Sequence, residues 1–154
     1  MGANDHQVGG KHYKTSYEHW DLVLNVGLSY LEGCATKYVV RWRAKNGLED
    51  LQKALHYLNK LQETGQPQPR KLPFSGITIE VSKFNRANNV DSLAGAFIAA
   101  LCTWQQPHEL DEARSYLLQL FDVAEAERSL PDPVPVPLTE ENHYAERSGV
   151  TDGN

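Results

Sequence analysis

One helical apolar stripe occurs twice in this chain, and that constrains the fold more than any single motif. Leu31, Cys34, Ala35, Tyr38, Val39 and Trp42 are spaced as one face of an α-helix. Asn46-Gly47 is a strong turn signal. Leu51, Ala54, Leu55, Leu58 and Leu61 then resume the same periodicity. Two helices joined by so short a turn run antiparallel. Further along, Leu31, Gly33 and Trp42 match Leu93, Gly95 and Trp104 at one constant spacing. After a short deletion in the turn, Leu51, Ala54, Tyr57, Leu58 and Leu61 match Leu110, Ala113, Tyr116, Leu117 and Leu120. The expected fold is all-α, two antiparallel helical hairpins from a degenerate internal duplication, packed as one core.

The rest of the chain is divided by punctuation residues. Residues 1–16 read as a flexible, Gly-rich segment, and 17–63 as the first helical unit, opened by a short helix from Trp20 to Val26 that Gly27 ends. Residues 64–76, with Pro67, Pro69 and Pro73, read as a linker. Residues 77–128 form the second unit, whose start at Ile77–Val81 alternates weakly and suits either a short strand or the lead into a helix. Residues 129–154 read as a Pro-rich, mobile tail. Cys34 and Cys102 sit among apolar residues, as small buried side chains do in a reducing compartment. Neither a Cys/His metal box nor an apolar run of membrane-spanning length occurs, and no signal peptide is evident, so a cytoplasmic protein without a membrane partner is expected.

The matched residues are apolar and the unmatched ones are charged. Lys37, Arg41, Lys45, Lys53, His56 and Lys60 correspond to Ala99, Thr103, Pro107, Glu112, Ser115 and Gln119. From Glu32 to Glu63 six Lys/Arg face four Asp/Glu; from Leu93 to Arg128 two face six. A shared scaffold with divergent charge predicts that the first unit binds a ligand and the second completes the core. The net charge of −5 argues against duplex nucleic acid or an anionic membrane as partner, and leaves room for a small anion.

Lys37, Arg41 and Lys45 form one stripe on the first long helix, and Asp50, Lys53, His56 and Lys60 a second on the next. Arg offers a planar fork to a phosphate and Lys a mobile point charge; the same spacing also suits an ordinary solvated face. In Val8-Gly9-Gly10-Lys11-His12-Tyr13, Gly9 and Gly10 allow backbone N–H groups to converge on an anion beside Lys11 and His12. The segment lacks the spacing and following Ser/Thr of a Walker A loop. Tyr13, Trp20 and Trp42 are aromatic candidates for stacking a base, although Trp42 is repeated by Trp104 and so reads as core. Asp21, Glu32 and Asp50 are candidate acids or bases, and Asp50 equally suits a first-turn helix carboxylate.

The ordered set Val8–Tyr13, Trp20-Asp21, Leu31-Glu32-Gly33, Lys37-Tyr38-Val39, Arg41, Lys45-Asn46-Gly47, Asp50-Leu51, Lys53-Ala54 and Tyr57-Leu58 resembles the SaV-like family of small phage proteins over about residues 8–61. That family includes a phage nucleotide kinase that phosphorylates deoxynucleoside monophosphates without a recognisable P-loop. The resemblance implies a nucleotide kinase-like protein acting in the host cytoplasm with a nucleoside triphosphate donor. Gly9, Gly10, Lys11, Lys37, Arg41, Lys45, Lys53 and His56 would hold phosphates. His12 or Asp50 would orient the attacking oxygen, and Tyr13 or Trp20 would pack against the base. Two alternatives need fewer groups: a non-catalytic binder that sequesters a host nucleotide signal, and an oligomeric scaffold for a host protein. The small residues Gly95, Ala96, Ala99 and Ala100 allow close helix approach within the chain or between subunits, and a homo-oligomer is expected.

Overall fold

The computed structural model describes residues 2–5 and 15–135, and every regular element among them is helical. The α-helices are α1 (His19–Val26), α2 (Tyr30–Arg41), α3 (Leu48–Thr64), α4 (Phe74–Ala87), α5 (Ser92–Thr103) and α6 (Leu110–Arg128), with single 3₁₀ turns at Ala3–Asp5 and Pro107–Glu109.

Local chemistry sets the helix ends. Gly27 closes α1 in the left-handed region, at φ +83°, with its N–H on the Val23 carbonyl. Ser29 opens α2 with a reciprocal box: its hydroxyl accepts from the Glu32 N–H while the Glu32 carboxylate accepts from the Ser29 N–H. Asp91 caps α5 by accepting from the Ala94 N–H at 2.9 Å.

Ile77–Val81 lies inside α4, not in a strand. Ile77, Val81 and Phe84 fall on one helical face and are buried against Leu22, Val26, Ile98 and Cys102. The β-branched residues between them only imitate alternation, because the tertiary contact rewards the helical spacing. The connection between the two halves is correspondingly shorter than 64–76: α3 runs through Thr64 and α4 begins at Phe74.

Packing is most extensive between α2 and α3 and between α5 and α6; α3 also meets α6, and α5 meets α2 and α4. One core cluster includes Val39, Trp42, Leu51, Leu58, Leu101, Trp104 and Leu117. The other joins α1 and α4 to Ile98 and Cys102. Helix α5 serves both, with Phe97 and Leu101 facing one and Ile98 and Cys102 the other. The small residues are what let it sit between neighbours. Gly95 lies under Asn85, Ala99 packs on the second cluster and Ala100 on the first, so this face is occupied within the chain. Cys34 and Cys102 are buried free thiols, as expected, and burial pushes the Cys102 thiol up to about 12.

The connection itself is anchored. Arg70 reaches inward to the fully buried Glu32 carboxylate (Nη1 to Oε1, 2.9 Å) and also donates to the carbonyls of Gly27, Leu101 and Cys102. Trp104 Nε1 donates to Glu32 Oε2 at 2.7 Å. Burial alone would raise the Glu32 pKa, but the Arg70 contacts outweigh it, with help from Ser29 and Trp104, and hold it below the usual range. Glu32 is therefore a structural junction and not an acid or base facing solvent.

Candidate functional site

Helices α2 and α3 present a cation-ringed tyrosine on their shared outer side. Tyr38 is partly buried on the seam, and three of the cations picked out by spacing gather on its ring. Lys37 Nζ lies 4.6 Å from the ring centroid, Arg41 Cζ 4.7 Å and Lys53 Nζ 5.5 Å. These distances are within cation–π range, about 0.5–1 kcal/mol per contact at exposed sites. Two helices supply the charges, so their relative placement depends on the α2–α3 packing and not on one flexible loop.

The three cations differ in their commitments. Arg41 is held by Asp50, with Nε 3.2 Å from Oδ2 and Nη2 3.2 Å from Oδ1. Asp50 is fully buried and also accepts from the Asn46 backbone and side chain. Its lone pairs face these donors, so its part is to position Arg41; it is not poised to take a substrate proton. Lys53 bonds Glu49 at 2.8 Å on the exposed face of α3. Lys37 has no carboxylate partner among the described residues, which makes it the cation most available to an incoming anion.

Lys37 also faces α1. His19 Nε2 lies 2.8 Å from Thr36 Oγ1, and the Thr36 hydroxyl has the Glu32 carbonyl as its acceptor at 2.9 Å. The imidazole therefore donates through Nε2. Burial, with a smaller contribution from the Lys37 charge, pushes the His19 pKa down to about 4, so the ring is neutral at physiological pH.

Tyr38 continues into a second aromatic. Its ring stacks on Tyr57 with centroids 5.9 Å apart and planes inclined by 17°. Tyr30 and His56 meet Tyr57 edge-on at 6.2 Å. Leu31, His56, Tyr57, Asn59, Lys60 and Glu63 line a shallow groove of about 400 Å³ on this side. His56 and Lys60 thus belong to the groove and not to the ring of cations around Tyr38. Lys45 is exposed in the connection between α2 and α3.

The expected site residues are only partly brought together. Lys37, Arg41 and Lys53 converge. Trp20 is about half exposed on α1, with its indole N–H donated to Asn4 Oδ1 at 2.6 Å, and no ring or cation contact joins it to Tyr38 among the described residues. Asp21 accepts from Asn4 Nδ2 beside it. Trp42 is core, as its repetition by Trp104 implied. Gly9, Gly10, Lys11, His12 and Tyr13 lie outside the described residues. Sequence reasoning missed Tyr38 and Tyr57 as the centre of the site, having placed them with the apolar face; the local signal was a tyrosine flanked by cations at i−1 and i+3.

Residues 9–59 match the model of a family described as a protein of unknown function (DUF3310). No curated protein and no solved structure matches the chain. The matched stretch takes in α1, α2 and most of α3, and so Lys37, Arg41 and Lys53, the cations on Tyr38 among the described residues. It ends before Lys60, and before Arg70 and Trp104, which hold Glu32.

Proposed function

We propose that this is a phage nucleotide-binding protein, nucleotide kinase-like, in which the first helical unit holds the phosphates of a deoxynucleoside monophosphate. The convergence of Lys37, Arg41 and Lys53 on the Tyr38 ring carries the reading. Two mobile ammonium groups and a guanidinium braced by a buried carboxylate suit a phosphate dianion. In transfer they would neutralise charge developing on the phosphoryl group. The nearby Tyr57 and Tyr30 rings offer the base an aromatic surface, a role that sequence gave to Tyr13 or Trp20. Lys11 and His12 complete the proposal from the N-terminal segment, with His12 orienting the attacking oxygen.

Pairs of equivalent features support an internal duplication. Ser29 and Asp91 cap α2 and α5, Gly27 and Asn89 both take positive φ, and Trp42 and Trp104 are both buried. Gly33 and Gly95 sit under Val23 and Asn85, which are themselves equivalent positions. On this reading the second unit has kept the scaffold and lost the cations.

Incubation of the pure protein with each deoxynucleoside monophosphate and a triphosphate donor, with and without magnesium, tests the enzyme reading. A diphosphate product that disappears in Lys37→Ala is expected, and no product under any pairing rejects it. One observation favours a second reading, a binder that sequesters a host nucleotide. Asp50, which the resemblance offered for orienting the attacking oxygen, is spent on Arg41, and the buried Glu32 carboxylate is spent on Arg70 and Trp104. Calorimetry showing tight binding of a nucleotide recovered intact would select this alternative.

A further inference from the structure

A second apolar groove shares no lining residue with the cations and rings gathered at Tyr38 and Tyr57. It is formed where the anchored connection, the start of α4 and the end of α5 meet, and encloses about 360 Å³. Pro67, Pro69, Leu72, Phe74, Ile77 and Trp104 provide most of its apolar lining. Phe74 is 68% exposed, although it opens a helix whose apolar face is otherwise buried. The Arg70 contacts fix the proline-bearing wall, so the groove is formed before anything enters it.

The same chain carries an unpartnered segment of matching chemistry. Beyond α6, Leu130 is 70% exposed and Val134 84% exposed, within the run Pro131-Asp132-Pro133-Val134-Pro135. Alternating prolines favour the extended polyproline conformation, which loses little entropy on docking and is recognised by aromatic-lined grooves. Charge agrees as well. Asp132 is exposed within the segment, Lys71 is exposed between the groove residues Arg70 and Leu72, and neither has an ion pair among the described residues.

The segment cannot serve its own chain's groove. Glu127, at the end of α6, bonds Arg43, which also bonds Asp91 at the start of α5. The end of α6 therefore lies at the far end of α5 from Trp104. Returning along the 19 residues of α6 means covering about 28 Å. Ser129–Pro135, the described stretch beyond α6, spans about 22 Å as extended polyproline, short of that distance.

We infer that the Leu130–Pro135 segment of one copy docks in the Phe74–Trp104 groove of a second copy, with Asp132 meeting the second copy's Lys71. The contact is heterologous, the segment of each copy entering the groove of the next, so it closes into a ring or continues as a chain of subunits.

Sedimentation of the full chain should give an oligomer, and Val134→Asp and Phe74→Ala should each reduce it to monomer with the helical circular dichroism unchanged. Lys71→Glu and Asp132→Lys should each weaken the oligomer and together restore it. Mixing chains that carry Gln105→Cys with chains that carry Val134→Cys should, on oxidation, link one to the other. The unsubstituted chain controls for Cys34 and Cys102. A monomer at every concentration overturns the inference, as does an oligomer indifferent to all four substitutions. So does a chain with both new cysteines that links only within itself, since the segment would then occupy its own groove.

Discussion

Lys37 and Arg41 are both cations on the Tyr38 ring, yet their substitutions should behave differently. Lys37 has no carboxylate partner among the described residues, so Lys37→Ala should weaken nucleotide binding by about tenfold or more, as expected for a lost charge-assisted contact, and leave the melting temperature nearly unchanged. Arg41→Ala should weaken binding and also destabilise the fold by about 2–3 kcal/mol, because it strands the buried Asp50; partial exposure of the Arg41 side chain keeps this below the full value for a buried pair. Calorimetric titration and urea unfolding of both variants separate the two effects. His19 gives a pH signature. Its pKa falls from 6.5 to about 4 on folding, so as pH drops the unfolded chain takes up the proton first. The stability due to the neutral ring is complete above about pH 6.5 and declines from there toward pH 4, by up to about 3 kcal/mol. His19→Gln keeps a donor for Thr36 and removes the titration. The difference in unfolding free energy between wild type and variant should therefore vary with pH in that window and be flat above it.

At the scale of elements, two matched glycines differ in what lies above them. A Cβ on Gly33 would stand 3.4 Å from Val23 Cγ2, an ordinary contact. A Cβ on Gly95 would stand 2.9 Å from Asn85 Nδ2, so the partly buried amide must shift. Gly33→Ala should thus gain helix propensity and be neutral to stabilising by up to about 1 kcal/mol, while Gly95→Ala should be less favourable by about 1 kcal/mol or more. Chemical denaturation of the pair checks this. Five of the six helices could be read from sequence because their apolar residues recur at helical spacing next to clear stop signals such as Gly27, Asn46-Gly47 and Pro107. Helix α4 could not, since Ile77, Ile79 and Val81 also alternate, and burial of Ile77 and Val81 with exposure of Ile79 is decided only by α1 and α5. The cation stripes were legible for the same reason of spacing. Their meeting point was only half legible: Lys37 and Arg41 flank Tyr38 along α2, but the arrival of Lys53 and Tyr57 from α3 depends on the packing of the two helices.

At the scale of the molecule, the junction at Glu32 and Arg70 joins α2, the connection before α4 and the end of α5. Its partners are far apart in sequence and one lies in a Pro-rich stretch that reads as slack, so no local pattern reveals it. Either Glu32→Leu or Arg70→Met alone should cost about 3–5 kcal/mol by leaving a buried charge unpaired, and the double replacement should cost clearly less than the sum. Thermal unfolding of the four proteins measures that coupling. The junction also bears on whether the stretch that matches the DUF3310 model can stand alone. Residues 9–59 hold Lys37, Arg41 and Lys53, but Arg70 and Trp104, which hold Glu32, and the α6 residues that cover the apolar side of α3 come later in the chain. The matched stretch and the stretch able to fold therefore have different boundaries. A polypeptide ending at Thr64 should stay unfolded alone and become helical only when the remaining chain is supplied as a separate piece. By itself the matched stretch lacks both the counter-charge for Glu32 and the cover for the apolar side of α3.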